Sequence, residues 1–334
     1  MENYPDSYYA ENASFLKETY SQIVDDQECD ICIVGGGFSG LSTAIEAAKK
    51  GLKVIVLEQY LFGWGASGRN GGQIWNDVSW GIEVIEKKYD ISLAKRIWNI
   101  SQAAVDLIDD RIKEFNISCD KKNGGINAAT SLAKLKEYEK NMKYKMKTYN
   151  YNKLEALDKQ SVEKEIGSSL YYGGILDYGA GHLHPLKYAL GLVKAAASLN
   201  VSLFERSAVT AINHSGINVE VLTSHGKIKA KKIAVCCNAY IKGLNIGIEN
   251  RIMPCATYIV CTEPLNSNLQ KEVLPNDYCV SDTNFDLNYY RLSENKRMIF
   301  GGAVGYSLKM VESLKLRTKK QLDKVYPSLK DMKV

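Results

Sequence analysis

Residues 30–58, "DICIVGGGFSGLSTAIEAAKKGLKVIVLE", leave the chain few ways to fold. "DICIV" is a short, nearly unbroken apolar run, the pattern of a strand buried on both faces. It enters Gly35-x-Gly37-x-x-Gly40 and then "LSTAIEAAKKG", whose apolar residues recur at helical spacing and which closes on Gly51. A second apolar strand, "KVIVL", follows, with Glu58 at its end. Strand, glycine turn, helix and strand in that order predict a parallel βαβ unit.

Each glycine of the turn has a separate task. Gly35 permits the tight turn, Gly37 lets a pyrophosphate approach the backbone, and Gly40 lets helix and strand pack closely. Amides of the first helical turn, around Ser39, then point at the phosphates. Glu58 is placed to accept hydrogen bonds from ribose hydroxyls, and its carboxylate repels a 2′-phosphate. NADP is thereby disfavoured, leaving NAD or FAD.

The stretch "GWGASGRNGGQ", Gly63 to Gln73, decides between them. In an NAD dehydrogenase the second strand leads straight into the next crossover helix. Here a glycine-rich loop carrying Ser67, Arg69, Asn70, Gly71, Gly72 and Gln73 intervenes. Such a loop can run close beneath a long, flat cofactor and reach its phosphates, ribityl chain or ring edge; the plainer alternative is a surface loop with a solvated Arg69.

At 334 residues the chain exceeds one ordinary core. Its net charge of +5 is spread along the sequence, which argues against a nucleic-acid surface. The N-terminus, "MENYPDSYYAENASFL", lacks the basic start and apolar run of a signal peptide, and no run approaches a membrane span. A cytoplasmic, soluble protein is expected, with its eight cysteines reduced. Cys29 and Cys32, three apart on a strand, point to opposite faces and read as inert. His182 and His184 lack further His or Cys nearby to complete a metal site, so no metal is expected.

Beyond the loop the text turns helical. Leu93, Ile97, Ile100, Ala104, Leu107, Ile108, Ile112 and Phe115 mark one face of a long helix, and a very polar second helix is expected over 132–149. From His182 an α/β pattern resumes, with a helix after Pro185 and the strands "VSLFE", "AVTAI", "NVEVLT" and "KIKAKKIAVCC". A strand-rich section, a hairpin across "SENK" and a helix over about 308–325 complete the chain. The expected fold class is α/β: a discontinuous Rossmann-like domain from 1–80 and 182–250, with a second domain of mixed sheet and helices from 81–181 and 251–334.

Taken together, "SYYA", "ICIVGGGFSGLSTAIEAAKKG", "GWGASGRNGGQ", "GHLHPLKYALGL", "AVCCNAYI", "TYIVCTEPL" and "LNYYRLSENKRMIFGG" resemble the D-amino-acid-oxidase-type FAD superfamily, nearest to its gamma-glutamylputrescine oxidoreductase branch. The resemblance implies FAD as cofactor. Gly35, Gly37 and Gly40 would hold its pyrophosphate, Glu58 its ribose, the Val209 backbone its adenine, and Ser67 to Gln73 its middle up to the flavin. Asn238, in "CNAY", stands where many relatives have glycine. The implied chemistry is hydride transfer from a neutral amine to the flavin, giving an imine that hydrolyses. Tyr258, Tyr290 and Arg291 are the substrate-side candidates, as an aromatic wall and a cation for a distal carboxylate; packing and a surface arginine are the alternative. Sarcosine, glycine or a D-amino acid as substrate, or a fragment that binds FAD without catalysis, are the competing readings. Relatives continue past the final "VYPSLKDMKV" into a segment that closes over the flavin, so the resemblance implies a missing C-terminal part, a separately encoded segment as partner, and poor turnover without it.

Overall fold

Two sheets organise this computed structural model, which describes residues 3–13, 18–78, 81–241, 243–244, 247–284, 286–305 and 312–334. The six-stranded sheet belongs to a unit formed by Met1–Asn70, Phe115–Cys119 and Pro185–Pro254. Its strands are β1 (Gln27–Val34), β2 (Val54–Leu57), β7 (Ser202–Phe204), β8 (Val209–Ser215), β9 (Asn218–Thr223) and β10 (Lys227–Val235), in the order β7-β2-β1-β10-β9-β8. β7, β2, β1 and β10 run parallel, with Ile31 beside Val54 and Val34 between Leu57 and Val235. β10, β9 and β8 form an antiparallel extension.

Helices α1 (Tyr8–Asn12), α2 (Phe38–Lys49) and α7 (Pro185–Ser198) complete this unit. α2 follows from its sequence: Leu41, Ala44 and Ile45 form the buried stripe, and Gly37 occupies the N-cap. Lacking a capping side chain of its own, the helix takes one from the glycine-rich loop, because the Ser67 hydroxyl accepts from the Phe38 N–H at 3.0 Å. α7 packs on α2, with the Phe38 and Tyr188 rings edge to face at 5.5 Å.

The second unit comprises Gly71–Glu114, Asp120–His184 and Cys255–Val334. Its strands are β3 (Gln73–Ile74), β4 (Lys122–Ala129), β5 (Leu154–Leu157), β6 (Gly173–His182), β11 (Ala256–Pro264), β12 (Cys279–Asp282), β13 (Tyr289–Leu292) and β14 (Arg297–Gly305). The sheet order is β11-β14-β13-β12-β4-β6-β3, with β5 also on β6; β12 and β4 are parallel and the remaining pairs antiparallel. Helices α3 (Ile82–Lys88), α4 (Ile91–Glu114), α5 (Leu132–Tyr149), α6 (Lys159–Ile166), α8 (Leu269–Glu272) and α9 (Glu312–Val325) surround it. α9 lies against β14 and β11 over a core that includes Val260, Tyr290, Phe300 and Leu322. The expected start of that helix near 308 lies outside the described residues.

Three expectations change. The segment 81–181 is not helical alone: beside α3 to α6 it supplies the strands β4, β5 and β6. Glycine-rich text such as "KNGGINAA" and "GGILDYGAGH" hides these strands, since glycine has low strand propensity. The glycines serve packing: a Cβ on Gly124 would meet the Tyr278 ring at 2.3 Å, and one on Gly125 would meet Trp75 at 2.8 Å. The unit boundary after the glycine loop falls at Asn70 instead of near 80, because β3 pairs with β6; Phe115–Cys119 joins the first unit, where Ile117 packs on Gly191 of α7. On α4 the packed face is Ala94 and Trp98, the latter against Tyr149 and Tyr151, while Ile100 and Leu107 of the predicted stripe are exposed.

Candidate functional site

At the C-terminal ends of β1 and β2 the first unit opens a cleft. Gly35, Gly37, Glu58, Ser67 and Val209 line it, so five of the residues singled out by sequence meet in one place. Their backbone explains why. Gly35 has φ +109°, and a Cβ there would lie 2.6 Å from the Cys236 carbonyl oxygen. A Cβ on Gly37 would lie 2.7 Å from Ser67 Oγ. The bare backbone at the N-terminus of α2 is therefore a cradle of amides with room for a phosphate.

Glu58 closes this cradle. Its Oε2 accepts from the Gly36 N–H at 2.8 Å and its Oε1 from the Tyr60 N–H at 3.0 Å. Burial raises its pKa, the backbone N–H groups oppose that rise in part, and the Glu205 carboxylate adds to it. Each carboxylate oxygen keeps acceptor capacity for a second donor. Glycine amides at one end, a carboxylate at the next strand and an apolar Val209 beyond form a donor and acceptor set that fits an adenine dinucleotide. Asn238 has φ +48°, the left-handed region that Asn tolerates better than most residues.

Apart from Ser67, the polar side chains of the glycine loop spend their hydrogen bonds on the protein itself. Asn70 donates through Nδ2 to the carbonyls of Ala66 and Ser67, both at 3.0 Å, and so fastens its own turn. Arg69 lies over the Trp64 ring at 4.6 Å and donates to the Gly65 carbonyl and the Tyr240 hydroxyl, both at 3.3 Å. Gln73 donates to Val280 O at 2.9 Å and Tyr290 O at 3.3 Å and accepts from Trp75 Nε1. Ser39 Oγ turns to the Cys236 sulfur at 3.7 Å. Sequence reasoning missed Trp64 and Tyr240, which line the cleft, and the buried Glu205, which accepts from the Phe62 N–H at 2.8 Å and holds the segment after Glu58. Aromatic residues interleaved with glycine in "YLFGWG" were the available signal.

In the second unit the substrate-side candidates separate. Tyr290 is 1% exposed, stacks on Phe300 at 5.2 Å and donates to the Tyr171 hydroxyl at 3.0 Å. It belongs to the core beneath α9. Tyr258, half-buried, shares that face by strand alternation with Val260. Arg291 is on the other face but only 3% exposed, with hydrogen bonds to peptide carbonyls. Tyr289, which the sequence reading passed over, lies on the Arg291 face: its ring covers Gly71 and Gly301 and its hydroxyl approaches Thr257 Oγ1 at 3.4 Å. One step of alternation from Tyr290 would have found it.

His182 sits beside Arg291. It is 2% exposed, its Nε2 lies 2.7 Å from the Asp277 carbonyl, and its Nδ1 has no partner among the described residues. Burial and then Arg291 pull its pKa from 6.5 down to about 4, with Lys122 in the same direction and Asp277 opposed. An unfolded chain therefore binds one more proton than the folded one between those values. Stability tied to His182 is complete above the ordinary value and is lost as pH falls toward about 4. A displacement of that size corresponds to roughly 3 kcal/mol. His182→Gln should flatten this acid limb in thermal unfolding; an unchanged limb would assign it to other groups.

Cradle, carboxylate and two-sheet architecture define an FAD-dependent oxidoreductase of the amine and amino-acid oxidase type. The chain belongs to the family described as FAD dependent oxidoreductase (DAO), which matches residues 30–333. It is 37% identical to gamma-glutamylputrescine oxidoreductase of Escherichia coli over 338 aligned positions, covering 100% of this chain and 78% of that one. Among solved structures, L-proline dehydrogenase from P. horikoshii shares the fold at a TM-score of 0.75 with 18% identity, over 92% of this chain and 79% of that one. Glycine oxidase from Geobacillus kaustophilus does so at 0.71 with 18% identity, over 92% and 80%. Among the described residues no group of three or more His, Cys, Asp or Glu side chains forms a metal site, and no helix is long and apolar enough to cross a membrane.

Proposed function

We propose that this chain oxidises a primary or secondary amine of the gamma-glutamylputrescine kind to the imine. The likeness to gamma-glutamylputrescine oxidoreductase along the whole chain carries this reading. Bound FAD supplies the two-electron acceptor for breaking the amine's α C–H bond. The chain's own residues supply position: the Gly37 amide and the first turn of α2 face the pyrophosphate, Glu58 accepts from the ribose hydroxyls, and Val209 meets the adenine. No acid-base triad is needed, because the amine enters neutral and the protein's task is to orient it and exclude water. A cytoplasmic setting suits the eight free thiols.

Cofactor choice is testable first. Titration of the purified chain should quench FAD fluorescence at concentrations where NADH gives no comparable signal; tighter binding of NADH would sink the flavin assignment. A panel of gamma-glutamylputrescine, putrescine, sarcosine, glycine and D-alanine then tests the substrate. Turnover confined to the amino acids would move the chain to the amino-acid oxidases.

A further inference from the structure

Arg291 has work within the protein. Its Nε donates to the Gly71 carbonyl at 2.7 Å and its Nη1 to the Leu292 carbonyl at 3.1 Å. A Cβ on Gly72 would fall 2.9 Å from Nη2 and 2.1 Å from the Leu183 carbonyl oxygen, so only glycine lets backbone and guanidinium approach this closely. Gly72 has φ +72° and accepts from the Leu183 N–H at 2.8 Å. Next along the chain, the Gln73 amide bonds to Val280 O and Tyr290 O. Gly71 to Gln73 is thus fastened to the sheet from both sides, by a guanidinium in a planar fork and by an amide.

We infer that Arg291 is a positioning residue, which acts through the Gly71 carbonyl to hold the Gly71–Gly72 turn of the cofactor loop, and is not the clamp for a substrate carboxylate. The inference rests on the cofactor reading above. Its consequence for specificity is that removing Arg291 penalises amines with and without a carboxylate alike, since the damage reaches them through the loop. A lysine cannot reproduce the fork, because its single ammonium is a point donor on a flexible stem.

The test uses the full chain with Arg291→Lys, Arg291→Met and Gly72→Ala, each checked for folding by thermal unfolding. Hydrogen exchange reports on the turn whether or not FAD is present: the Leu183 amide should exchange at least tenfold faster in Arg291→Met. FAD affinity, read by fluorescence, should fall at least tenfold in both arginine variants, with a shifted flavin absorbance band and a milder effect for lysine. KM should rise by the same factor for gamma-glutamylputrescine and for putrescine, and Gly72→Ala should reproduce the pattern. Unchanged Leu183 exchange, or a KM increase confined to the carboxylate-bearing amine, would overturn the inference. Absence of FAD binding by the wild-type chain would instead overturn the cofactor reading and leave the exchange result to decide the role of Arg291.

Discussion

Gly40→Ala is expected to weaken FAD binding by about a hundredfold or more and to cost more stability than any other single methyl group placed in the cradle. A Cβ at this position would lie 1.9 Å from the Gly35 carbonyl oxygen, 3.1 Å from the Gly35 carbonyl carbon and 3.2 Å from Ile33 Cγ2. Two of these atoms are backbone in the turn itself, so no side chain can swing aside. Relief requires α2 to move off β1, and that carries away the amides that face the phosphates. Overpacking of this kind costs roughly 3 kcal/mol or more, and displacement of the amides should weaken FAD by ~100-fold or more, about 2.8 kcal/mol. Gly51→Ala is the control: nothing lies within 4 Å, and only its φ of +78° is strained, at a cost of roughly 1 kcal/mol. Equal FAD affinities for the two variants would mean that close packing of α2 on β1 does not build the site.

Loss of the Glu58 carboxylate should have the next largest effect. Glu58→Ala removes the acceptor of the Gly36 and Tyr60 N–H groups as well as the acceptor we assign to the ribose hydroxyls. Hydrogen bonds to a charged group contribute roughly 1.5–3 kcal/mol, so FAD affinity should fall by about 10- to 150-fold. The pH dependence has a definite sign. Burial holds the Glu58 pKa above its ordinary 4.5, so the folded protein without cofactor retains a proton where the unfolded chain has lost it. In that window stability without cofactor declines as pH rises, and below the ordinary value the penalty is gone. Ribose hydroxyls favour the ionised form, so FAD affinity should climb with pH through the window and level off once Glu58 is charged. Glu58→Gln should bind more weakly and show no such climb. Fluorescence titrations from the carboxylate range to neutral pH decide it; a flat wild-type curve would remove Glu58 from the site.

Sequence alone determined the nucleotide half of this protein. Local physics dictates it: a strand buried on both faces, a turn that only glycine can make, an amphipathic helix and a second buried strand ending in a carboxylate are contiguous between Asp30 and Glu58, and each constrains its neighbours within a few residues. Gly35, Gly37 and Glu58 meet in the cleft because that chain of local choices leaves them nowhere else to go, whereas Ser67 and Val209, the latter named from the family resemblance, are brought there by the fold. What tertiary structure decided is how long polar side chains spend their hydrogen bonds. In the sequence, Arg69, Asn70, Gln73 and Arg291 look like groups waiting for a ligand. Folded, Asn70 fastens its own turn, Arg69 lies on Trp64, and Gln73 and Arg291 tie Gly71 and its neighbours to strands more than two hundred residues away. Strand parity had the same outcome for Tyr289 and Tyr290: one residue of register places the first over the glycines and the second in the core beneath α9. Partners so distant along the chain leave no local periodicity, so only the assembled sheet could assign these side chains.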